Sequence, residues 1–154
     1  KQKTAYEIYQ CDWSLDVCSS DLKPVPTTNF HQTWSAVRGF LAEALKWSNG
    51  DYTEDQAKAL LAQGSWLLLV AVDDDNVIHG AASVEFINRP NDRVAFITAV
   101  GGKALINEDV YEQLCMVLKG FGATKIQCAA RESAARLYAK VGFEQKHIIL
   151  EVSL

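Results

Sequence analysis

Residues Trp66–Val72 read Trp-Leu-Leu-Leu-Val-Ala-Val, apolar at every position. A run this short is a strand rather than a helix, and a strand with no polar alternation is covered on both faces. The chain must therefore build a sheet with a layer on either side. Asp73–Asn76 is a polar turn, and Val77–Ile87 follows as the second arm of a hairpin. Within that arm Ile78, Ala82, Val84 and Phe86 are expected on one face, and His79, Ala81, Ser83 and Glu85 on the other. Asn88-Arg89-Pro90-Asn91 is a second turn. Arg93–Val100 is a third strand, which Gly101-Gly102 is expected to break.

Helical patterns flank this meander. Trp34, Val37, Leu41, Ala44 and Leu45 form an apolar stripe that stops near Ser48-Asn49-Gly50. Thr53 and Gln56 make a capping-box pattern ahead of Ala57, Leu60 and Leu61, and Gly64 closes that short helix. Lys23–Thr28 reads as an opening strand or loop. Downstream, Asn107 is a candidate cap for a helix with Glu108 and Asp109 in its first turn. Its stripe is Val110, Leu114, Val117, Leu118 and Phe121. Lys125–Ala130 is a strand, and Ala134, Leu137, Tyr138 and Val141 give a further helix closed by Gly142. A last strand is expected from Phe143, with Ile148, Leu150, Val152 and Leu154 alternating. Three strands joined by tight turns pair antiparallel, and strand-helix-strand units pair parallel. The expected fold class is α/β with a mixed (α+β) sheet: an antiparallel meander, then parallel strand-helix-strand units, with helices on both faces.

A chain of 154 residues holds one domain with a sizeable core. Its first part stands apart. Cys11–Leu22 closely resembles one reading frame of a sequencing-library adapter, departing at Leu15, where that translation has Ser. Residues 1–22 are accordingly read as a non-native extension and residues 23–154 as a single domain. Leaving out residues 1–22 removes two of the 15 basic and four of the 19 acidic residues, so the net charge moves from −4 to −2. Neither value suits nucleic acid as the main partner, because phosphate binding needs a basic face. No apolar run is long enough to span a membrane and no signal peptide is visible. Cys11 and Cys18 lack a second pair at zinc-site spacing. Cys115 and Cys128 read as small apolar residues, and free thiols point to a reducing, cytoplasmic setting. His31, His79 and His147 are scattered, so no metal site is expected.

The stretch Arg131–Phe143, Arg-Glu-Ser-Ala-Ala-Arg-Leu-Tyr-Ala-Lys-Val-Gly-Phe, resembles the last conserved block of the GNAT N-acyltransferase superfamily. That block runs Asn-x-x-Ala-x-x-hydrophobic-Tyr-x-x-x-Gly-Phe. Ala134, Leu137, Tyr138, Gly142 and Phe143 match it, and Arg131 stands where the family has Asn. The element order also resembles the GNAT fold, from roughly residue 30 to the last residue. The resemblance implies transfer of an acetyl group from acetyl-CoA, as co-substrate, to an amine on a small molecule or peptide. The alternative is a non-catalytic GNAT-fold binding or structural module. The Gly-Gly-Lys loop and the Arg-Glu-Ser-Ala-Ala-Arg run are similar to small GNAT-like proteins of tailed phages, where such a module would be particle-associated.

In GNAT enzymes the third meander strand and the loop after it bind the acyl donor. The matching residues here are Thr98, Ala99, Val100, Gly101, Gly102 and Lys103, with Arg131 as a further phosphate contact. The loop lacks the family's glycine spacing, and Glu108 and Asp109 put negative charge where a pyrophosphate would sit. Gly101-Gly102 is equally a tight turn without a ligand. The resemblance gives Tyr138 the role of general acid toward the departing thiolate, beside a second reading as a rim packing residue. Glu85 and His79 are the candidate general bases, each also readable as an ordinary surface residue. A slot between the strands Arg93–Val100 and Lys125–Ala130 is the structural condition for the enzyme reading.

Overall fold

A computed structural model describes residues 20–102 and 108–154. The readings made for Cys11, Cys18, Lys103 and Asn107 fall outside these residues. The elements run β1 (Asp21–Val25), a 3-10 turn (Thr27–Asn29), α1 (Phe30–Leu45), α2 (Glu54–Ala62), β2 (Trp66–Val72), β3 (Ile78–Asn88), β4 (Arg93–Gly102), α3 (Glu108–Gly120), β5 (Lys125–Cys128) and α4 (Glu132–Ala139).

The sheet has five strands in the order β1-β2-β3-β4-β5. The first three pairings are antiparallel, and β4 pairs with β5 in parallel through the α3 crossover. This is the mixed sheet expected from the turn signals. β1 takes in Asp21 and Leu22, both buried against the sheet. Gln113 on α3 fastens its start, accepting from the Leu22 N–H at 2.8 Å and donating to the Ser20 carbonyl at 3.0 Å.

β2 explains the two-layer architecture. Leu68, Val70 and Val72 face α1 and α2, together with Phe30, Trp34, Val37, Leu41, Leu45, Ala57 and Leu61. Leu69 and Ala71 face the opposite way, with Val84, Ala95, Ile97, Val110, Leu114 and Leu118 around α3. Each large side chain sealed this way contributes about 1.5–3 kcal/mol. α2 starts as its sequence pattern indicates: Thr53 Oγ1 accepts from the Gln56 N–H, and the Gln56 side chain accepts from the Thr53 N–H.

Three expectations need correction. Ile78 does not share a face with Ala82, Val84 and Phe86: it packs with the α1 layer, while those three join the α3 layer. The register slips beside it, since Ala71 pairs with Gly80 but Val72 pairs with Ile78. The extra residue, His79, reverses the alternation. Gly101-Gly102 does not break the third strand either. β4 runs through both glycines, which pair with Ala81 and Gly80. Finally, the alternating segment after Phe143 forms no strand. Ile148, Leu150, Val152 and Leu154 are largely exposed. A period-two pattern marks a segment able to form a half-buried strand, but it cannot supply the neighbour that pairs with it.

Candidate active site

The candidate site lies where β4 and β5 part. Val94–Ile97 pair with Lys125–Cys128, and there the parallel ladder ends. β4 continues through Thr98–Gly102 with β3 as its partner, while the other chain turns away through Ala129 and Ala130 into α4. A bulge marks the same point. Ser83 pairs with Ala99 and Val84 with Ile97, so Thr98 is the unpaired residue. Its hydroxyl lies 2.7 Å from the Ser83 hydroxyl and donates to the Ser83 carbonyl at 3.1 Å. The bulge inverts the alternation of β4. Ile97 belongs to the α3 layer, and two residues on Ala99 belongs to the α1 layer.

Gly101 and Gly102 are where α1 comes closest to the sheet. A Cβ on Gly101 would stand 2.1 Å from the Phe40 carbonyl oxygen. One on Gly102, at φ +76°, would stand 2.4 Å from the His79 carbonyl oxygen. Glycine is needed at both positions for backbone approach, whether or not a ligand binds.

Two cavities open at the parting, one on each face of the sheet. On the α3 face, a cavity of about 10 Å³ is lined by Ile97, Tyr111, Leu114, Cys128, Tyr138, Val141 and Phe143. Tyr138 is delivered there by α4, and Phe143 folds back beyond Gly142 (φ +102°) to lie 5.7 Å from the Tyr138 ring. Burial, with a smaller contribution from Cys128, pushes the Tyr138 phenol above its ordinary 10.0. It is therefore protonated at neutral pH, the form an acid requires. Burial likewise raises the Cys128 thiol, so it is not a thiolate nucleophile at neutral pH.

On the α1 face, a groove of about 670 Å³ runs between α1 and the end of β4. Phe40, Glu43, Trp47, Val100, Gly101, Gly102 and Arg131 contribute to its lining. The Arg131 guanidinium carbon sits 4.0 Å from the centre of the Trp47 ring, tying the start of α4 to the chain just beyond α1. The Glu43 carboxylate accepts from Lys46.

The structure thus gathers Val100, Gly101, Gly102 and Arg131 on one groove and Tyr138 behind it, with the Thr98–Ala99 bulge at the parting itself. The two candidate bases are not brought together. Six residues of extended chain, about 20 Å, separate His79 from Glu85. His79 Nε2 is bound to Asp73 Oδ2 in the β2–β3 turn. Burial works to raise the Asp73 carboxyl, but bonds from His79 and from the Val77 and Asp75 N–H groups, with the His79 charge, bring it below its ordinary value. Glu85 pairs with Trp66 at the far end of β3, close enough to Tyr52 to help raise its phenol, which burial raises most. Neither residue lines the groove. Glu43 and Trp47 do, and the sequence reading passed over both. Glu43 lies on α1 and Trp47 in the turn just past it, four residues on, so an aromatic residue following the end of the α1 stripe is the signal that would have found them. Among the described residues no three His, Cys, Asp or Glu side chains gather as a metal site. No helix there is long and apolar enough to cross a membrane.

Solved structures share this architecture. An aminoglycoside acetyltransferase from an uncultured soil metagenomic sample aligns over 88% of this chain and 99% of its own, with 16% identity and a TM-score of 0.62. A predicted acetyltransferase with acetyl-CoA from Clostridium acetobutylicum aligns over 87% and 96%, with 18% identity and a TM-score of 0.57. Glucosamine-6-phosphate N-acetyltransferase from Arabidopsis thaliana aligns over 88% and 98%, with 15% identity and a TM-score of 0.56. No family model and no curated protein matches the sequence. At such identities the likeness speaks for the fold alone, a GNAT-type mixed sheet with helices on both faces.

Proposed function

We propose that the protein is an N-acyltransferase that moves an acetyl group from acetyl-CoA to an amine. The observation that carries this reading is the parting of β4 and β5 beside a half-buried, protonated Tyr138. Beyond Ile97 the pairing of β4 with β5 ends, so those backbone groups of Thr98, Ala99 and Val100 that do not bond β3 are available for the amide groups of an extended donor arm. Gly101, Gly102 and Lys103 carry the donor onward, and Arg131 meets its phosphates. Tyr138 returns a proton to the departing thiolate. The amine approaches from the α1 face, where the groove volume falls in the usual range for a small-molecule site. Among the described residues Glu43 is the carboxylate that lines this groove, and Lys46 bonds it. His79 and Glu85 remain proposals as bases only if a substrate bridges them to the opening.

A second reading, a non-catalytic GNAT-fold module such as a phage particle-associated protein, is favoured by one feature. Glu108 and Asp109 occupy the first turn of α3, where negative charge opposes a pyrophosphate.

Thermal unfolding of the full chain with added acetyl-CoA separates the two. A donor present at about 100 times its Kd stabilises the fold by about 2.7 kcal/mol. No shift at millimolar acetyl-CoA overturns the enzyme reading in favour of the module. A cytoplasmic setting is part of the proposal, since the donor named here is an intracellular thioester.

A further inference from the structure

We infer that Trp47 is a positioning residue. It holds the Arg131 guanidinium over its ring so that the guanidinium N–H groups receive the phosphates of the acyl donor. The inference rests on the acyltransferase reading above.

Trp47 and Arg131 come from opposite ends of the domain and meet only at the groove. Trp47 lies just past α1 and keeps 63% of its surface exposed, so it is no core residue. Arg131 is the N-cap of α4, with no side-chain bond to the helix it precedes. The Arg131 guanidinium carbon lies 4.0 Å from the Trp47 ring centre, a cation–π contact that consumes none of the five guanidinium N–H donors as a hydrogen bond. A stacked guanidinium also loses part of its rotamer freedom before any anion arrives, which lowers the ordering cost of binding.

The groove gives this cation its role. Arg131 lines it together with Val100, Gly101 and Gly102, the stretch of β4 past the last pairing with β5. A donor lying along that stretch ends its arm near the guanidinium. The usual alternative, the start of the helix after β4, carries Glu108 and Asp109 and repels an anion. Among the described residues that line the groove, Arg131 is the one cation. The Glu43 carboxylate on the same lining would oppose a phosphate, but Lys46 bonds it and offsets its charge.

The test compares acetyl-CoA with acetylpantetheine, which carries the same arm and no phosphates, on the full chain. Arg131→Gln is expected to weaken acetyl-CoA binding about tenfold or more. Trp47→Leu is expected to weaken it about two- to fivefold, the worth of an exposed cation–π contact. Both variants should narrow the preference in kcat/KM for acetyl-CoA over acetylpantetheine by the same factors, and Trp47→Phe should recover most of the acetyl-CoA affinity. A Trp47→Leu variant that binds acetyl-CoA as wild type does, or loses both substrates alike, overturns the inference alone. So does an Arg131→Gln variant that keeps acetyl-CoA affinity and instead raises KM for carboxylate-bearing amines, since the anion would then belong to the acceptor. A wild-type chain that binds no acetyl-CoA overturns the acyltransferase reading itself.

Discussion

Replacing Gly101 with Ala tests the central structural claim, that α1 rests its backbone on β4. The new Cβ would stand 2.1 Å from the Phe40 oxygen, 2.7 Å from its carbonyl carbon and 3.0 Å from its Cα. Real Cβ atoms essentially never approach another heavy atom below 3.0 Å, so the helix must retreat by about 1 Å. No flexible side-chain tip can yield in its place. α1 anchors Phe30, Trp34, Val37, Leu41 and Leu45 in the core, and all of them move with it. A gap of ~0.5–1 Å forfeits a quarter to a half of a dispersion contact. Overpacked cores ordinarily lose about 1–3 kcal/mol, and a rigid backbone neighbour places this case near the upper figure, about 3 kcal/mol. Urea unfolding followed by tryptophan fluorescence would read this directly. With an m-value of about 2 kcal/mol/M the midpoint falls by about 1.5 M. Gly39→Ala on the same helix is the control. Nothing lies within 4 Å of its added Cβ, and Ala in a helix interior gains about 0.5–1 kcal/mol over Gly. If Gly101→Ala unfolds within about 0.5 kcal/mol of wild type, the close approach of α1 to β4 is wrong, and the groove geometry with it.

Other consequences can be checked with the same protein. Tyr138→Phe should lower turnover at least tenfold with acetyl-CoA affinity unchanged, as removal of a general acid does; equal turnover would retire Tyr138 from the chemistry. Thr98→Val should cost about 1–3 kcal/mol, because the buried Ser83 hydroxyl and carbonyl lose their partner at the bulge; an unchanged urea midpoint would show that the hydroxyl pair does not hold it. Cys128 and Tyr138 both titrate above their ordinary values of 9.0 and 10.0 when folded. The unfolded chain therefore gives up these protons first, so stability is intact below about pH 9 and falls as pH rises above it. A Cys128→Ser, Tyr138→Phe double variant should flatten that decline in urea midpoint, and an identical alkaline slope would contradict the assignment. Deleting residues 147–154 should leave the melting temperature within about 2 °C of wild type, since Ile148, Leu150, Val152 and Leu154 make little buried contact; a larger drop would mean that the segment packs in solution.

The local record was legible wherever one residue type answers one backbone demand. The Thr53–Gln56 capping box, the left-handed Gly64 and Gly142 after their helices, and the unbroken apolarity of Trp66–Val72 each led to the element found. The order of hairpins and crossovers then led to the mixed sheet, because turn length and helix insertion determine which way neighbouring strands run. What escaped the sequence were departures from strict periodicity. The bulges at His79 and Thr98 shift residues from one face to the other, and no propensity announces them. The sharing of one groove by Glu43, Trp47 and Arg131 is equally a matter of how α1 and α4 lie against β4. The alternating stretch from Ile148 to Leu154 shows the same limit from the other side: a chain encodes which residues are able to pair, while partners, faces and openings exist only once distant segments have met.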